Sequence, residues 1–439
     1  MKRLVAGSAG FANAMISLRS FDLLDDAELD RKVSRILSDV RFEGDSAVLR
    51  FVNQFERPDL KSVVDARVDM SELREGWDSL DKAEQEVLST AVDRIRAFHE
   101  HQLEKSWSYE DAYKNILGQK VTPIARAGVY VPGGRASYPS TALMTVIPAK
   151  VAGVNEVVAV SPINERGNND FLFAALYKAG VDEVYGIGGA QAIGALAFGT
   201  ESIDRVDKIV GPGGLYVTAA KRKVFGYVGV DSIAGPTELV ILADGSAPVD
   251  WVVYDLLSQA EHDVAAQSIL VATDADYLDR VCERISELLP SFSRKAIIEE
   301  SLKGRGALIL VKGLDQGVDV VNDIAPEHLQ LCTVAPEKLL PGIVNAGAIF
   351  CGSFSGEAFG DYLAGPSHVL PTFGSARFGS PLGVYDFLKR SSIIHMSEHG
   401  ADALSDSASL FAQKEGLEAH SLAAKSRSKK LKPNDLLIG

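Results

Sequence analysis

The chain is poor in cysteine, has no long apolar run and carries no excess of positive charge, and each absence removes a class of function. Its 439 residues contain three cysteines, Cys282, Cys332 and Cys351. They lie far apart and form neither a CxxC metal pair nor a disulfide framework, so they read as buried free thiols of a reducing compartment. No apolar stretch approaches the roughly 20 residues that span a bilayer. The opening MKRLVAGSAGFANAMISL has a basic tip and a small-residue ANA, but Gly, Ser and Asn interrupt the apolar centre that a signal peptide needs. A cytoplasmic location is expected. With 45 Lys and Arg against 59 Asp and Glu, the formal charge of -14 offers no general field for nucleic acid or anionic lipid. It weakly favours a cationic or zwitterionic substrate.

What is present is an ordinary globular composition, 46% hydrophobic and 24% charged. Domains usually run to roughly 100–200 residues, so this length implies two large ones with smaller additions. Residues 22 to about 105 repeat apolar positions at three- and four-residue spacing, as amphipathic helices do. From Ala127 the period changes. Short apolar runs (GVYVPG, EVVAVSP, EVYGIGG, DKIVGPG) alternate with helix-like segments, and a second series follows (TELVILAD, QSILVATD, ALILVKG, LQLCTV, AGAIFCG). Continuous apolar strands separated by helices indicate parallel sheets covered on both faces, hence an α/β fold. The expected division is an N-terminal extension at 1–25 packing with the C-terminal part, a main α/β domain from 26–126 and 237–382, an α/β domain inserted at 127–236, and a helical C-terminal extension at 383–439. That extension, ending in the basic KSRSKKLKP, is too thin to build a core and should pack on another domain or another subunit.

Parallel sheets often bind dinucleotides, but the GxGxxG fingerprint is missing. GIGGAQ has Gln191 in the last glycine position, and GPGGLY is broken by Tyr216. Glycines at strand ends serve tight turns in any fold. Three such turns nevertheless fall in one sheet, at Gly133-Gly134, Gly188-Gly189 and Gly211 to Gly214, and together they would form a backbone-lined rim for phosphate or ribose.

Polar groups gather elsewhere. In DLLSQAEHD, Gln259 and His262 are three apart and share a helix face beside an apolar run. FGDYLAGPSHVLPT places Asp361 and His368 in a Gly/Pro-rich loop, and KEGLEAH puts Glu415 and His420 on one expected helix. IAPEHLQL sets Glu327 and His328 side by side at the mouth of a strand. His99, His101, His395 and His399 stand in charged or polar stretches and read as solvated side chains. Spacing does not show that Gln259, His262, Asp361 and His420 meet. If they do, two nitrogens and two oxygens suit zinc or a neighbouring divalent ion with positions left open.

The segments GVYVPGGRASYPSTALMTVIPAKVAGV, GGAQAIGALAFGTESIDRVDKIVGPG, DSIAGPTELVILAD, DLLSQAEHD, NDIAPEHLQL, GDYLAGPSHVLPT and EGLEAH resemble, in that order, the motifs of the histidinol dehydrogenase family, over about residues 20–425. The resemblance implies two incomplete Rossmann-like domains and a homodimer whose chain ends are exchanged, so that active sites are shared. It implies one Zn2+ per subunit held by Gln259, His262, Asp361 and His420, the last from the partner subunit. Glu327 and His328 would be the catalytic pair. Thr237, Gln259, His262, His328, Asp361, His368, Glu415 and His420 would meet L-histidinol, and Tyr130, Gln191 and Gly214 would meet NAD. The implied reaction is oxidation of L-histidinol through L-histidinaldehyde to L-histidine.

Two positions depart from the family pattern. Gly214 stands where the family usually has Asn after GPG, removing one amide contact to NAD. Thr237 stands in GPTE where the family usually has Ser, adding a methyl beside the substrate. GPTE leans toward a sister branch that oxidises a sulfonated propanediol, whereas the zinc set and Glu415 suit a cationic amine. A zinc hydrolase would need a metal-activated water near Glu327, and no HExxH is present. A non-catalytic metal- and nucleotide-binding protein would show bound zinc without turnover.

Overall fold

The computed structural model describes residues 1–20, 26–133, 138–163 and 169–429. Gly134 of the first glycine turn, the end of the N-terminal extension and the last part of the basic tail lie outside them. The chain divides into two compact units, Met1–Gln102 with Ile124–Phe387, and Leu103–Pro123 with Leu388 onward.

The larger unit contains both expected parallel sheets. The first has the spatial order Arg67–Val68, Glu183–Tyr185, Glu156–Val160, Arg126–Tyr130, Lys208–Val210, Gly229–Val230, antiparallel only at Arg67–Val68. The second is parallel throughout: Lys2–Val5, Ala307–Leu310, Gln267–Ala272, Glu238–Ala243, His328–Cys332, Ala348–Cys351. All nine apolar runs of the sequence became strands in these two sheets. In the second sheet Leu239, Ile241 and Ala243 pack into one buried layer, while Val240 and Leu242 pack into the opposite one. A two-residue period buried on both faces is why those runs show no polar alternation.

The helices after residue 26 were expected to join the second sheet, and they pack on the first instead. Helix Ala27–Glu43 is capped by Asp26, whose side chain accepts the Glu28 and Leu29 amides. It buries Leu29, Val33, Ile36, Leu37 and Val40 in one core with Val158, Val160 and Ile193 of the first sheet and its helix. Each such side chain contributes roughly 1.5–3 kcal/mol on burial. The matching surface is helix Gly189–Phe198, where Gly194 leaves room for Val40 and Leu37. Amphipathicity shows that a helix has a buried face, not which sheet receives it. The N-terminal extension also differs: Lys2–Val5 is the edge strand of the second sheet, bonded to Ala307–Leu310. Four residues with a mostly exposed pattern gave no periodic signal.

The smaller unit is not wholly helical. Leu388–His395 runs antiparallel to Ile116–Pro123, which also pairs with Trp107–Glu110. Helices Glu398–Lys414 and Glu418–Lys425 pack together, with Ser409 and Ser421 hydroxyls bonded at 2.6 Å in their shared interior. Residues 103–123 therefore belong with the C-terminal extension rather than the main domain. A strand whose partner lies hundreds of residues away has no local pattern to reveal it.

Candidate active site

Glu327 and His328 are delivered to the second sheet by a strained corner. Helix Leu314–Ile324 ends at Ala325, which adopts a left-handed conformation (φ 55°). Pro326 follows and disfavours continuing the helix. A non-glycine residue held there costs on the order of 1–2 kcal/mol, a reason to look for function at the corner. The next residues enter strand His328–Cys332 beside strand Glu238–Ala243, with Leu239 opposite His328. Parallel pairing therefore brings Thr237, Glu238, Glu327 and His328 together at the amino ends of their strands.

Their hydrogen bonds fix their orientation. Thr237 Oγ1 donates to Glu327 Oε2 at 2.7 Å, and the Glu238 amide donates to the same oxygen at 2.9 Å. Burial pushes the Glu327 carboxyl well above the usual carboxylate range. His328 Nδ1 lies 3.0 Å from the Glu238 carbonyl oxygen. A carbonyl can only accept, so Nδ1 carries the proton and Nε2 keeps its lone pair. Burial pushes this imidazole down to about 4. The ring is neutral at neutral pH, and Glu327 Oε2 at 3.7 Å and Glu357 Oε1 at 3.6 Å are neighbours rather than ion-pair partners.

Asp361 sits on the short helix Glu357–Tyr362, not in a loop. Its backbone carbonyl accepts His368 Nδ1 at 3.0 Å, and Thr141 Oγ1 meets His368 Nε2 at 3.2 Å. Both nitrogens of His368 are thus engaged by protein, and burial pushes its pKa down. Thr141 belongs to helix Pro139–Ala152, at the carboxyl edge of the first sheet, so the two sheets meet here. His328, Asp361 and His368 line a cavity of about 380 Å³. A second cavity, about 490 Å³, lies between Tyr138, Ser140, His262 and Tyr362.

Gln259, near the end of helix Val249–Ala260, is fully buried, and neither its amide oxygen nor its nitrogen has a partner. Such a pair of orphaned atoms costs free energy unless something occupies them. His262 lies two residues past that helix and is exposed, close enough for its charge to act on His328 and His368. Glu415 caps Glu398–Lys414 and His420 lies in the first turn of the next helix, Glu418–Lys425, beyond Gly416, so the two do not share one helix. Both are exposed and both belong to the smaller unit.

At the first sheet, Tyr130 ends its strand, and its hydroxyl accepts the Gly189 amide at 3.2 Å while burial pushes its pKa up to about 12. Gln191 Nε2 donates to Glu56 at 2.6 Å. Gly214 is the N-cap of helix Leu215–Val224, with open space where a side chain would be. Gly211 (φ 107°) must be glycine, because any side chain there would collide with the Tyr130 carbonyl.

The histidinol dehydrogenase family profile matches residues 22–428. A histidinol dehydrogenase of Chromobacterium violaceum is 50% identical over 427 residues, 97% of this chain and 98% of that protein. One of Pseudomonas putida is 51% identical over 425 residues, 97% of this chain and 96% of that protein. The crystal structure of histidinol dehydrogenase from Elizabethkingia anophelis superposes with a TM-score of 0.91 at 32% identity, covering 97% of this chain and 98% of that one. The chain belongs to the histidinol dehydrogenase family.

Membership makes it an NAD-linked, zinc-dependent oxidoreductase, and the orphaned amide of the buried Gln259 is the observation that fits a metal. Among the described residues, the close group of three ionisable ligand atoms is His328, Glu357 and Asp361, all within 4.8 Å of one another. Only Asp361 is shared with the set expected for a histidinol dehydrogenase. Glu357 and Glu238 escaped sequence reading. Glu357 is fully buried with Oε2 unpartnered, and its signal was its place one helical turn before Asp361. Glu238 directly follows Thr237, inside a motif already read for its hydroxyl.

Proposed function

We propose that this chain oxidises L-histidinol through L-histidinaldehyde to L-histidine, reducing two NAD. The observation that carries the reading is His328, a cavity-lining side chain that is neutral and held by Nδ1, so that Nε2 keeps its lone pair, beside a fixed Glu327. Nε2 takes the alcohol proton of the substrate, a contribution worth roughly 10²–10⁴ in rate. Glu327, held through Oε2 by Thr237 and the Glu238 amide, turns its other oxygen to the water that adds to the aldehyde. Gln259, His262 and Asp361 of this chain, with His420 of a second copy, would hold zinc. When bound, zinc orients the substrate amine and imidazole. His368 and Glu415 complete the substrate contacts, and Tyr130, Gln191 and Gly214 line the NAD side.

The protein acts as a homodimer with shared sites. Supporting this, Glu415 and His420 are exposed in the smaller unit, near exposed Leu410, Phe411 and Leu417. We place the enzyme in the cytoplasm: no helix among the described residues is long and apolar enough to cross a membrane, and its cysteines are free. Mixing the protein with zinc, NAD and L-histidinol and following NADH to completion tests the function. Two NADH per L-histidinol, lost on chelation and restored by zinc, is the expected result. No NADH from L-histidinol, with turnover of a sulfonated diol, would overturn it.

A further inference from the structure

In a dinucleotide fold, a glycine turn at a helix start offers free amides to a pyrophosphate. The turn at Gly188, which begins helix Gly189–Phe198, is already occupied by an anion of the protein's own. Glu56, the residue that ends helix Asp45–Phe55, accepts the Gly188 amide and also accepts Gln191 Nε2 at 2.6 Å. The neighbouring Gly189 amide is taken by the Tyr130 hydroxyl at 3.2 Å. The corner that replaces the missing GxGxxG is therefore a carboxylate and two hydrogen-bonded side chains, not a vacant anion hole.

The chemistry of that corner decides what it can recognise. A carboxylate only accepts, so the buried Gln191 amide must turn its nitrogen to Glu56 and keep its carbonyl oxygen, beside Gly189, as an acceptor. A carbonyl acceptor beside a half-buried carboxylate receives a hydroxyl donor and repels a phosphate. We propose that Glu56, acting through Gln191, makes this corner a ribose-diol site and selects the unphosphorylated dinucleotide over its 2′-phosphorylated form. Glu56 is a positioning residue: it touches Gln191 and the turn, while Gln191 meets the ribose. The proposal rests on the reading that Gln191 faces NAD, and it adds which group of the cofactor is read and why.

The test uses the full-length enzyme and the variants Glu56→Gln and Glu56→Asp. Binding of NAD and of NADP is measured by calorimetry without L-histidinol, and KM and kcat are then measured with each. Glu56→Gln frees the Gln191 amide to reverse and removes the charge, so the NADP-to-NAD preference should rise about tenfold or more. KM for NAD should rise severalfold while kcat at saturating NAD stays within about twofold. Glu56→Asp keeps the charge and should keep the wild-type preference. An unchanged preference in Glu56→Gln overturns the proposal, as does a fall in kcat without a change in KM. Because calorimetry needs no L-histidinol, an error in the substrate shows only in turnover, and an error here shows in the NADP-to-NAD ratio.

Discussion

The first sheet offers the cleft its carboxyl edge and the second offers its amino edge, and the two edges are built from different atoms. At the first, glycine turns form the edge, and side chains of the protein hold their amides: Glu56 that of Gly188 and Tyr130 that of Gly189. Lys221 and Asp231, only 2% and 4% exposed, pair at 2.5 Å, and they bond the carbonyl and the amide of Gly211 at 2.8 Å each. At the second, ionisable side chains do the facing: Glu327, His328, Glu357 and Asp361, with Glu238 behind them. Holding a dinucleotide of fixed shape suits rigid glycine turns, whereas proton transfer needs groups whose charge can change. The usual rule places ligands at the carboxyl ends of parallel strands. Here the second sheet departs from it, because its amino edge is where Ala325 and Pro326 lead Glu327 and His328, the proposed catalytic pair, into the strand.

This division can be broken at either edge. The largest expected effect is at the rim: Lys221→Met leaves Asp231 buried and unpaired, and chemical denaturation should show a loss of about 3–5 kcal/mol. The double change Lys221→Met with Asp231→Leu should recover part of it. Additive losses would mean that the pair does not act as a clamp.

Next comes pH, which should act on the amino edge. Burial pushes Glu238 up to about 7. Between the ordinary carboxyl range and that value the folded state holds a proton that the unfolded chain has lost. Its contribution to stability is therefore full in acid and is lost as pH rises through 7. Glu238→Gln should flatten this dependence, gaining on the order of 2–3 kcal/mol relative to the parent between pH 5 and pH 8. Parallel stability curves for the two proteins would contradict it.

The smallest effect is at Thr237. Thr237→Val removes one donor to Glu327 and should cost about 1–3 kcal/mol of barrier, read as kcat on the aldehyde. Thr237→Ser should behave as the parent. Loss in Thr237→Ser with none in Thr237→Val would show that the methyl, not the hydroxyl, matters.

Much of the fold was legible because its signal is local. The nine apolar runs needed only their own composition to be read as strands, and Glu327 and His328 stood at a strand mouth as expected. What escaped depends on distant partners. Helix Ala27–Glu43 announced a buried face but not its sheet, and Leu388–His395 had no pattern to show its pairing with Ile116–Pro123. His99, read as solvated, is buried with Nδ1 bonded to the Ile95 carbonyl at 2.8 Å, because the charged positions around it lie on the other faces of its helix. Of the thiols expected to be buried, only Cys332 is, while Cys351 is exposed on an edge strand. At the site, Gln259 and His262 were visible as a pair, but the buried acids Glu238 and Glu357 were hidden beside better-known neighbours.

The most direct test of the division is the affinity of His328→Asn for NAD, measured by calorimetry beside its turnover. The amino-edge role predicts turnover lower by roughly 10²–10⁴, with the NAD dissociation constant within about twofold of the parent. A loss of NAD affinity as large as the loss of turnover would place His328 at the cofactor and contradict the account.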